Sequence, residues 1–300
     1  MRIVITGGPD GQVLLSLAER GGAAGHDIVA LGRPELDLMG DEEVIVRAVE
    51  QTEPDIVVSA AAYTAVDKAE SERDLAFAIN ARGAGAVAKA AERLGVPVIH
   101  ISTDYVFDGS KPAPYVESDV PNPVSVYGAS KLAGEEAVLE ATRNSVILRT
   151  AWVYSPFNAN FVKTMLRLAA DRDEVGVVAD QRGNPTSALD IADAILAVAA
   201  NLVASEERDL RGVFHMTGQG EGSWADFAEQ IFATSTSAGG PSARVRRIST
   251  ADYPTPATRP ANSRLDSSKL HAIHKVRLPR WHTSTEEVVR RLVEEQGQAE

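Results

Sequence analysis

The chain has 300 residues, of which 44% are hydrophobic, and its formal net charge is −12. This length and composition allow one large buried core or two unequal ones. The acidic excess argues against a general binder of nucleic acid or of anionic membranes, because no basic field is present to attract phosphates. Cysteine is absent from the sequence, which excludes disulfides and thiolate chemistry.

Apolar runs along the chain are short. The apolar run at residues 1–7 is too short for a signal peptide, and no run reaches the roughly 18 apolar residues that a membrane-spanning helix needs. We therefore expect a cytoplasmic protein with no membrane partner.

The first half of the chain alternates apolar strands with helices. Strands are predicted at 3–5, 28–31, 55–60, 96–101 and 145–148, and helices at 14–20, 44–51, 75–94 and 127–143. Continuous apolar strands that alternate with helices are typical of a parallel sheet covered on both faces. Residues 1–155 are therefore predicted to form a doubly wound α/β domain of the Rossmann type.

The pattern becomes less regular beyond about residue 155. Helices are predicted at 158–171, 190–204 and 224–235, and stretches rich in Pro, Gly and Ser separate them, notably 235–242 and 254–260. We expect residues 156–300 to form a smaller α/β region that mainly binds the substrate and is partly interleaved with the first.

A glycine-rich turn, Thr6-Gly7-Gly8-Pro9-Asp10-Gly11-Gln12, follows the first strand. Glycines let the backbone approach a pyrophosphate, and the next helix supplies amide donors. Leu14 stands where a third glycine would fall, so an isolated match would be an ordinary turn. As the first turn of a parallel sheet, the motif instead favours a dinucleotide. The predicted cofactor contacts here are Gly7, Gly8, Gly11 and Gln12.

The cofactor type depends on the end of the second strand. An acidic residue there suits the ribose of NAD, whereas an arginine suits a 2′-phosphate. Gly32-Arg33 at this point favours NADPH, with NADH possible. The alternative is that Arg33 is a solvated loop charge.

Tyr127 and Lys131 are the candidate catalytic pair. Four residues apart, they lie on one face of a helix, one turn from each other. A free phenol loses its proton near pH ~10, and an adjacent ammonium favours the phenolate, so we expect Lys131 to lower the pKa of Tyr127. Alone, such a spacing is typical of a surface helix pair. The preceding Ser102-Thr103 supplies a hydroxyl to hold a carbonyl oxygen, which predicts a carbonyl reductase with Thr103, Tyr127 and Lys131 as catalytic residues.

These motifs together resemble the extended short-chain dehydrogenases/reductases, by the glycine-rich turn, Ser102-Thr103-Asp104-Tyr105-Val106-Phe107 and Tyr127-x-x-x-Lys131. Longer strings are similar to the dTDP-4-dehydrorhamnose reductase family within them. These strings are Ala60-Ala61-Ala62-Tyr63-Thr64-Ala65-Val66-Asp67-Lys68-Ala69-Glu70, Arg149-Thr150-Ala151-Trp152-Val153-Tyr154, Asp180-Gln181-Arg182-Gly183-Asn184-Pro185-Thr186 and Thr255-Pro256-Ala257-Thr258-Arg259-Pro260-Ala261-Asn262-Ser263-Arg264-Leu265. The resemblance runs from residue 1 to about residue 290.

The resemblance implies a hydride transfer from NADPH to the C4 ketone of dTDP-4-dehydro-L-rhamnose, a dTDP-4-keto-6-deoxyhexose. It implies that Tyr127 donates a proton to the developing alkoxide. Lys131 would bind the nicotinamide ribose, and Thr103 would hydrogen-bond the carbonyl oxygen.

The resemblance also assigns residues to the surrounding binding sites. The implied sugar pocket is lined by Thr64, Val66, Asp104, Tyr105 and Trp152. The residues expected around the nucleotide diphosphate are Asn184, Thr186, Arg259 and Asn262, of which the arginine has a planar fork of donors for phosphate. Further expected cofactor contacts are Asp37, Leu38, Ala60, Ala61, Ala62 and Tyr63.

The chain departs from the family at a metal site. Some members are described as magnesium-dependent dimers that use glutamates on the first helix and on the helix after the Pro-Thr string. The corresponding residues here are Ser16 and Leu189, neither of which offers a carboxylate to a hard cation. We therefore expect no metal, and a monomer or a weak homodimer.

Three alternatives to this function are open. A nucleotide-sugar 4,6-dehydratase would carry Asp-Glu after the threonine, where this chain has Asp104-Tyr105. A 4-ketoreductase for another dTDP-deoxysugar in an antibiotic pathway could have nearly identical residues. A non-catalytic regulatory subunit, like the reductase-like β subunit of methionine adenosyltransferase, would not require Thr103, Tyr127 and Lys131 together.

Overall fold

A six-stranded parallel sheet forms the centre of the computed structural model, which describes residues 1–297. The strands are β1 (Arg2–Thr6), β2 (Asp27–Leu31), β3 (Ile56–Ser59), β4 (Val98–Thr103), β5 (Ser145–Thr150), β6 (Val153–Tyr154), β7 (Glu174–Val178), β8 (Arg182–Gly183), β9 (Thr186–Ser187), β10 (Gly212–His215), β11 (Gly222–Ser223) and β12 (Arg244–Ile248). The order in the large sheet is β10-β5-β4-β3-β1-β2, with every neighbouring pair parallel.

Helices cover both faces of this sheet. They are α1 (Gln12–Ala23), α2 (Glu42–Glu50), α3 (Val66–Ala69), α4 (Arg73–Phe77), α5 (Ala84–Leu94), α6 (Val126–Ala141), α7 (Phe161–Asp171), α8 (Ala188–Ala204), α9 (Trp224–Ser237), α10 (Ser268–His274) and α11 (Trp281–Gly297). Side chains alternate along a strand, so Ile3 and Ile5 of β1 pack with α1 and α8, whereas Val4 packs with α2 and α5. Burial on both faces explains the uninterrupted apolar strands, and the predicted doubly wound fold is confirmed.

The long helix predicted at 75–94 is not continuous. A π-helical segment, Ala78–Gly83, separates α4 from α5. Asn80, within this segment, hydrogen-bonds both backbone groups of Tyr63 and the hydroxyl of Ser130. Segments of this kind occur frequently at functional sites, and these side-chain bonds give the local change of helix geometry a physical reason.

The second half of the chain contributes to two cores. β10 is the sixth strand of the large sheet, and α8 packs on α1. The short strand pairs β6–β9, β7–β12 and β8–β11, together with α7, α9 and α11, enclose a second apolar cluster around Trp281 and Phe227. Within the described residues, no helix is both long and apolar enough to cross a membrane.

Candidate active site

A cleft of about 330 Å³ lies at the carboxyl ends of β1 and β2. β1 pairs with β2 on one side and β3 on the other, so the chain order reverses here, where ligands of open α/β sheets bind. The cleft brings together seven of the predicted cofactor residues, Gly7, Gly8, Arg33, Asp37, Leu38, Ala61 and Ala62.

Glycines shape the floor of this cleft. A Cβ added to Gly32 would lie 2.1 Å from the carbonyl oxygen of Gly7, so a side chain at position 32 would push the turn away from β2. A Cβ added to Gly8 would meet nothing within 4 Å, because this residue borders open space. Gly11 is the N-cap residue of α1 and has no side chain to cover the first amides of the helix.

The remaining predicted cofactor residues are anchored around the cleft. The amides of Ala60 and Ala61 both donate to Oγ1 of Thr6, at 3.2 Å each. Oε1 of Gln12 accepts a hydrogen bond from Ser155 at 2.8 Å. Tyr63 is held by Asn80 through its backbone. Thr6 and Asn80 were not predicted as site residues. Each is a lone polar residue, Thr6 at the end of an apolar run and Asn80 inside one, and this pattern was the signal that could have indicated them.

Arg33 lies at the rim of the cleft. Its side chain is 64% exposed and its Nη2 lies 3.2 Å from Oδ1 of Asp37. The backbone amide of Met39, with a contribution from Arg33, holds the pKa of Asp37 below its usual range. The rim therefore presents an exposed guanidinium beside an ionised carboxylate.

Thr103 and Tyr127 meet where β4 ends and α6 begins. Oγ1 of Thr103 accepts the amide of Tyr105 at 3.2 Å and donates to Asp104 at 2.9 Å. The rings of Tyr105 and Tyr127 pack edge to face at 5.8 Å. A Cβ added to Gly128 would lie 2.1 Å from the carbonyl oxygen of Tyr105, so a glycine is required for this close approach.

The phenol of Tyr127 corrects one expectation. Burial raises its pKa to about 12, a hydrogen bond with Thr103 lowers it, and the charge of Asp104 raises it. The lowering by Lys131 expected from the sequence is wrong for this arrangement, because burial of the ring outweighs the favourable contacts of the phenolate. Tyr127 therefore holds its proton at neutral pH.

Lys131 is buried one turn along α6 from Tyr127. Its Nζ donates to the carbonyl oxygen of Ile101 at 2.7 Å and lies 3.3 Å from Nε2 of His100. Burial lowers the pKa of Lys131 to about 8, and the charge of Glu135 opposes this change. Lys131 thus carries a positive charge below about pH 8.

Asp104 follows the catalytic candidate Thr103 directly. It is only 2% exposed, and burial raises the pKa of its carboxyl to about 7. Contacts with the hydroxyls of Ser263 and Thr103 oppose this change. A buried carboxyl group therefore lies beside the Thr103 hydroxyl.

The other predicted sugar-pocket residues lie on two separate segments. Thr64 is exposed just before α3, and Val66 begins that helix. Trp152 has a φ of 47°, which is rare for a bulky residue, and its ring stacks on Trp224 at 3.7 Å. Strained conformations of this kind cluster at functional sites.

Arg259 pairs with a carboxylate. Its Nη1 and Nη2 lie 3.0 and 2.8 Å from the two oxygens of Asp67, and its charge also acts on the phenol of Tyr105. The arginine predicted to bind phosphate is therefore next to the predicted sugar pocket, with its fork of donors already paired.

The side chains of Asn184, Thr186 and Asn262 tie loops together. Asn184 bonds Gly220 and Leu265, and Asn262 bonds the carbonyls of Lys111 and Ala113. Thr186 is fully buried, where its hydroxyl donates to the carbonyl oxygen of Asn184 and accepts the amide of Gly218. Contacts of these three residues with a nucleotide diphosphate stay a prediction.

Both positions at which some family members are described as using glutamates for magnesium are buried in this chain. Ser16 is fully buried on α1, and Leu189 is 2% exposed on α8. In the part of the chain that the structure describes, no three His, Cys, Asp or Glu residues are grouped to hold a metal ion.

The family model for the RmlD substrate binding domain matches residues 1–294. A dTDP-4-dehydrorhamnose reductase of Sinorhizobium fredii is 52% identical over 289 residues, which cover 96% of this chain and 97% of the relative. The chain belongs to the dTDP-4-dehydrorhamnose reductase family. The resemblance found in the sequence is therefore confirmed.

Solved structures of this family share the fold. The dTDP-4-dehydrorhamnose reductase of Clostridium acetobutylicum has a TM-score of 0.89 at 36% identity and covers 97% of this chain and 99% of its own. The reductase of Bacillus anthracis, crystallised in complex with NADP, has a TM-score of 0.87 at 37% identity, with coverages of 96% and 98%. The similarity to solved structures of this family thus covers both halves of the chain.

Proposed function

We propose that this chain is an oxidoreductase that reduces the C4 ketone of dTDP-4-dehydro-L-rhamnose to give dTDP-L-rhamnose, with NADPH as reductant. The observation that carries the proposal is that Thr103 meets Tyr127 at the carboxyl end of β4, with Lys131 one turn along α6. The glycine-lined cleft lies at the carboxyl ends of β1 and β2 in the same parallel sheet. Family membership supports the substrate, and the NADP bound to the Bacillus anthracis reductase supports the cofactor. The Tyr105 that stands in place of glutamate argues against a dehydratase.

The cleft fits a phosphorylated dinucleotide. Open space over Gly8, the amides at the start of α1 and the exposed guanidinium of Arg33 are suited to a pyrophosphate and a 2′-phosphate. When bound, NADPH supplies the hydride. The protein residues then have to orient the ketone and provide a proton.

Tyr127 is the proton donor in this proposal. The phenol, whose pKa is raised to about 12, holds its proton at neutral pH. It can give that proton to the ketone oxygen because the developing alkoxide is a stronger base than a phenolate. The Thr103 hydroxyl would hold the same oxygen, and the Lys131 ammonium would favour the negative charge that remains after proton donation.

The second half of the chain would mainly serve the nucleotide sugar. We assign residues 156–300 to a substrate-binding region that is interleaved with the dinucleotide-binding region of residues 1–155. Arg259 would release Asp67 and bind the diphosphate in its place, because a carboxylate and a phosphate are both anionic partners of a guanidinium. We propose a monomer or weak homodimer, which light scattering would test.

The test is a reduction assay with the purified protein. Incubation with NADPH and dTDP-4-dehydro-L-rhamnose is expected to oxidise the nicotinamide, and NMR of the sugar is expected to show dTDP-L-rhamnose. Oxidation with a different C4 configuration would favour another dTDP-deoxysugar. Absence of oxidation with every dTDP-4-ketosugar would contradict a reductase function.

A further inference from the structure

β4 turns two buried polar side chains toward α6. Ile99 and Ile101 pack in the apolar cluster with α1 and α8, and the alternate residues His100 and Ser102 face the other way. His100 contacts Lys131, and Ser102 donates to Glu135 at 2.5 Å. Leaving a buried polar group without a hydrogen-bond partner costs about 1–3 kcal/mol. We therefore expect the polar side chains at these two positions to be kept for the contacts that they make.

The contacts of His100 define which of its nitrogens carries the proton. Nε2 lies 3.3 Å from Nζ of Lys131, and Nδ1 lies 3.0 Å from Oγ of Ser59. An ammonium can only donate, so Nε2 must present its lone pair, and Nδ1 then donates to Ser59. Burial, together with the charge of Lys131, lowers the pKa of His100 well below its usual range, which keeps the ring neutral.

We propose that His100 is a positioning residue, which fixes the direction of the Lys131 ammonium by accepting one of its three N–H bonds. The carbonyl oxygen of Ile101 accepts a second at 2.7 Å. The third N–H is then directed by the geometry of the other two. This inference rests on the proposed function, because that function gives Lys131 its task.

Both acceptors belong to β4, the strand that ends in Thr103. The ammonium is therefore positioned by the same strand that positions the threonine hydroxyl, so the two groups keep a fixed relation. A neutral imidazole suits this role better than a carboxylate. A carboxylate would form a stronger, charge-assisted hydrogen bond to the ammonium and hold it away from an incoming ligand.

Other charged groups around Lys131 have partners of their own. Glu135, one turn further along α6, is bound at both oxygens by Arg149 of β5, at 2.9 and 2.7 Å. Asp104 beyond the end of β4 is bonded by Thr103, and Tyr127 on α6 is protonated at neutral pH. Within residues 1–297, His100 is thus the side chain within hydrogen-bond distance of the ammonium.

Replacement of the imidazole tests this role. In His100→Leu, the buried ammonium loses a hydrogen-bond acceptor. The neutral amine then becomes more favourable, and the pKa of Lys131 falls below its value of about 8. In His100→Gln, an amide oxygen can accept the same N–H. His215→Leu is the matched control, because it removes a second fully buried imidazole, on β10, whose Nδ1 contacts the carbonyl of Tyr115.

The experiment measures the pKa of Lys131 by ¹⁵N NMR, the Kd of NADPH by fluorescence, and the pH profile of kcat. We expect His100→Leu to lower the pKa of Lys131 by about one unit and to weaken NADPH binding about tenfold, the effect of one hydrogen bond to a charged group. The alkaline limb of kcat should move to lower pH by a similar amount. His100→Gln should restore most of each value, and His215→Leu should change only the thermal midpoint.

A folded His100→Leu variant with the wild-type lysine pKa and NADPH affinity would overturn the inference. If that variant does not fold, Ser59→Ala replaces it. Loss of the Ser59 hydroxyl removes the partner that holds the proton on Nδ1 of His100, so Nε2 is no longer fixed as the acceptor for Lys131. A smaller shift in the same direction supports the role of His100, and no shift overturns it. A wild-type protein that reduces no ketosugar contradicts the proposed function instead, while the NMR measurement still decides whether His100 acts on Lys131.

Discussion

Arg259 holds Asp67 with two nitrogens, at 3.0 and 2.8 Å, across 192 positions of sequence. The amide of Ala257 adds a third bond to the same carboxylate at 3.1 Å. These bonds fasten the segment 255–262 to α3, which directly follows the loop at 60–65 beside the cofactor cleft. Replacement of Arg259 or of Asp67 should therefore change substrate binding more than cofactor binding.

Arg259→Ala should raise the KM for the nucleotide sugar by about tenfold or more, because a two-pronged donor to phosphate is lost. The Kd of NADPH should stay within about twofold, since the cleft beside Gly7 does not include this residue. Steady-state kinetics and fluorescence titration measure the two quantities. Arg244→Ala, which removes an exposed arginine on β12, is the control. Equal KM changes in both variants would contradict the assignment.

Tyr127→Phe should reduce kcat by at least about 10²-fold, because it removes the proton donor but keeps the ring. NADPH should bind nearly as well as in the wild type. The control is Tyr253→Phe, which removes the hydroxyl of an exposed tyrosine outside the site. Retained turnover, or loss of cofactor binding, would count against the role of Tyr127.

Asp104 should make stability depend on pH. Burial raises its pKa in the folded state to about 7, above the ordinary aspartate value of 3.8, so the folded state binds the proton more tightly than the unfolded state. The contribution is present at low pH and is lost as the pH rises from about 4 to about 7. The free energy of unfolding of Asp104→Asn, measured by urea titration, should fall less over this interval than that of the wild type. Parallel curves for both proteins would show that the carboxyl titrates normally.

The buried pair of Glu135 and Arg149 should be sensitive to the loss of one partner. Their side chains are 2% and 4% exposed, so Arg149→Leu leaves a buried charge uncompensated and should cost about 3–5 kcal/mol. The double variant Glu135→Leu/Arg149→Leu should recover much of this loss. Urea unfolding measures all three proteins, and a single variant as stable as the wild type would disprove the expected penalty.

Gly128→Ala should disturb the site through backbone contact. Its Cβ would overlap the carbonyl oxygen of Tyr105, so the turn after β4 must move away from α6, at a cost of about 1–3 kcal/mol and a loss of kcat. Gly22→Ala is the control, because an added Cβ near the end of α1 meets nothing within 4 Å. That change should stabilise the protein by about 0.4–1 kcal/mol. An active, fully stable Gly128→Ala protein would show that the contact adjusts freely.

The parallel sheet could be predicted because its signal is local. Ile3, Val57 and Ile99 belong to strands buried on both faces, and such strands are apolar without interruption. The grouping of Gly7, Gly8 and Arg33 at one cleft followed from the same topology, since the turns after parallel strands meet at one edge.

The missed features depend on contacts between distant residues. β6, β8, β9 and β11 have two residues each, too few for any periodicity to show. The raised pKa of Tyr127 follows from burial by the folded chain, whereas the spacing to Lys131 predicted the opposite direction. The partner of Arg259 is Asp67, far away in sequence, and no local pattern indicates that pair.

The π-helical segment Ala78–Gly83 makes chain length itself a determinant of the site. Deletion of one residue from it, such as Ala81, would restore α-helical register and turn Asn80 by about 100° relative to α5. The bonds from Asn80 to Tyr63 and to Ser130 would then be lost together. The loop that contains Tyr63 would then no longer be tied to the helix of Tyr127 and Lys131, although none of the residues that make these bonds has been replaced.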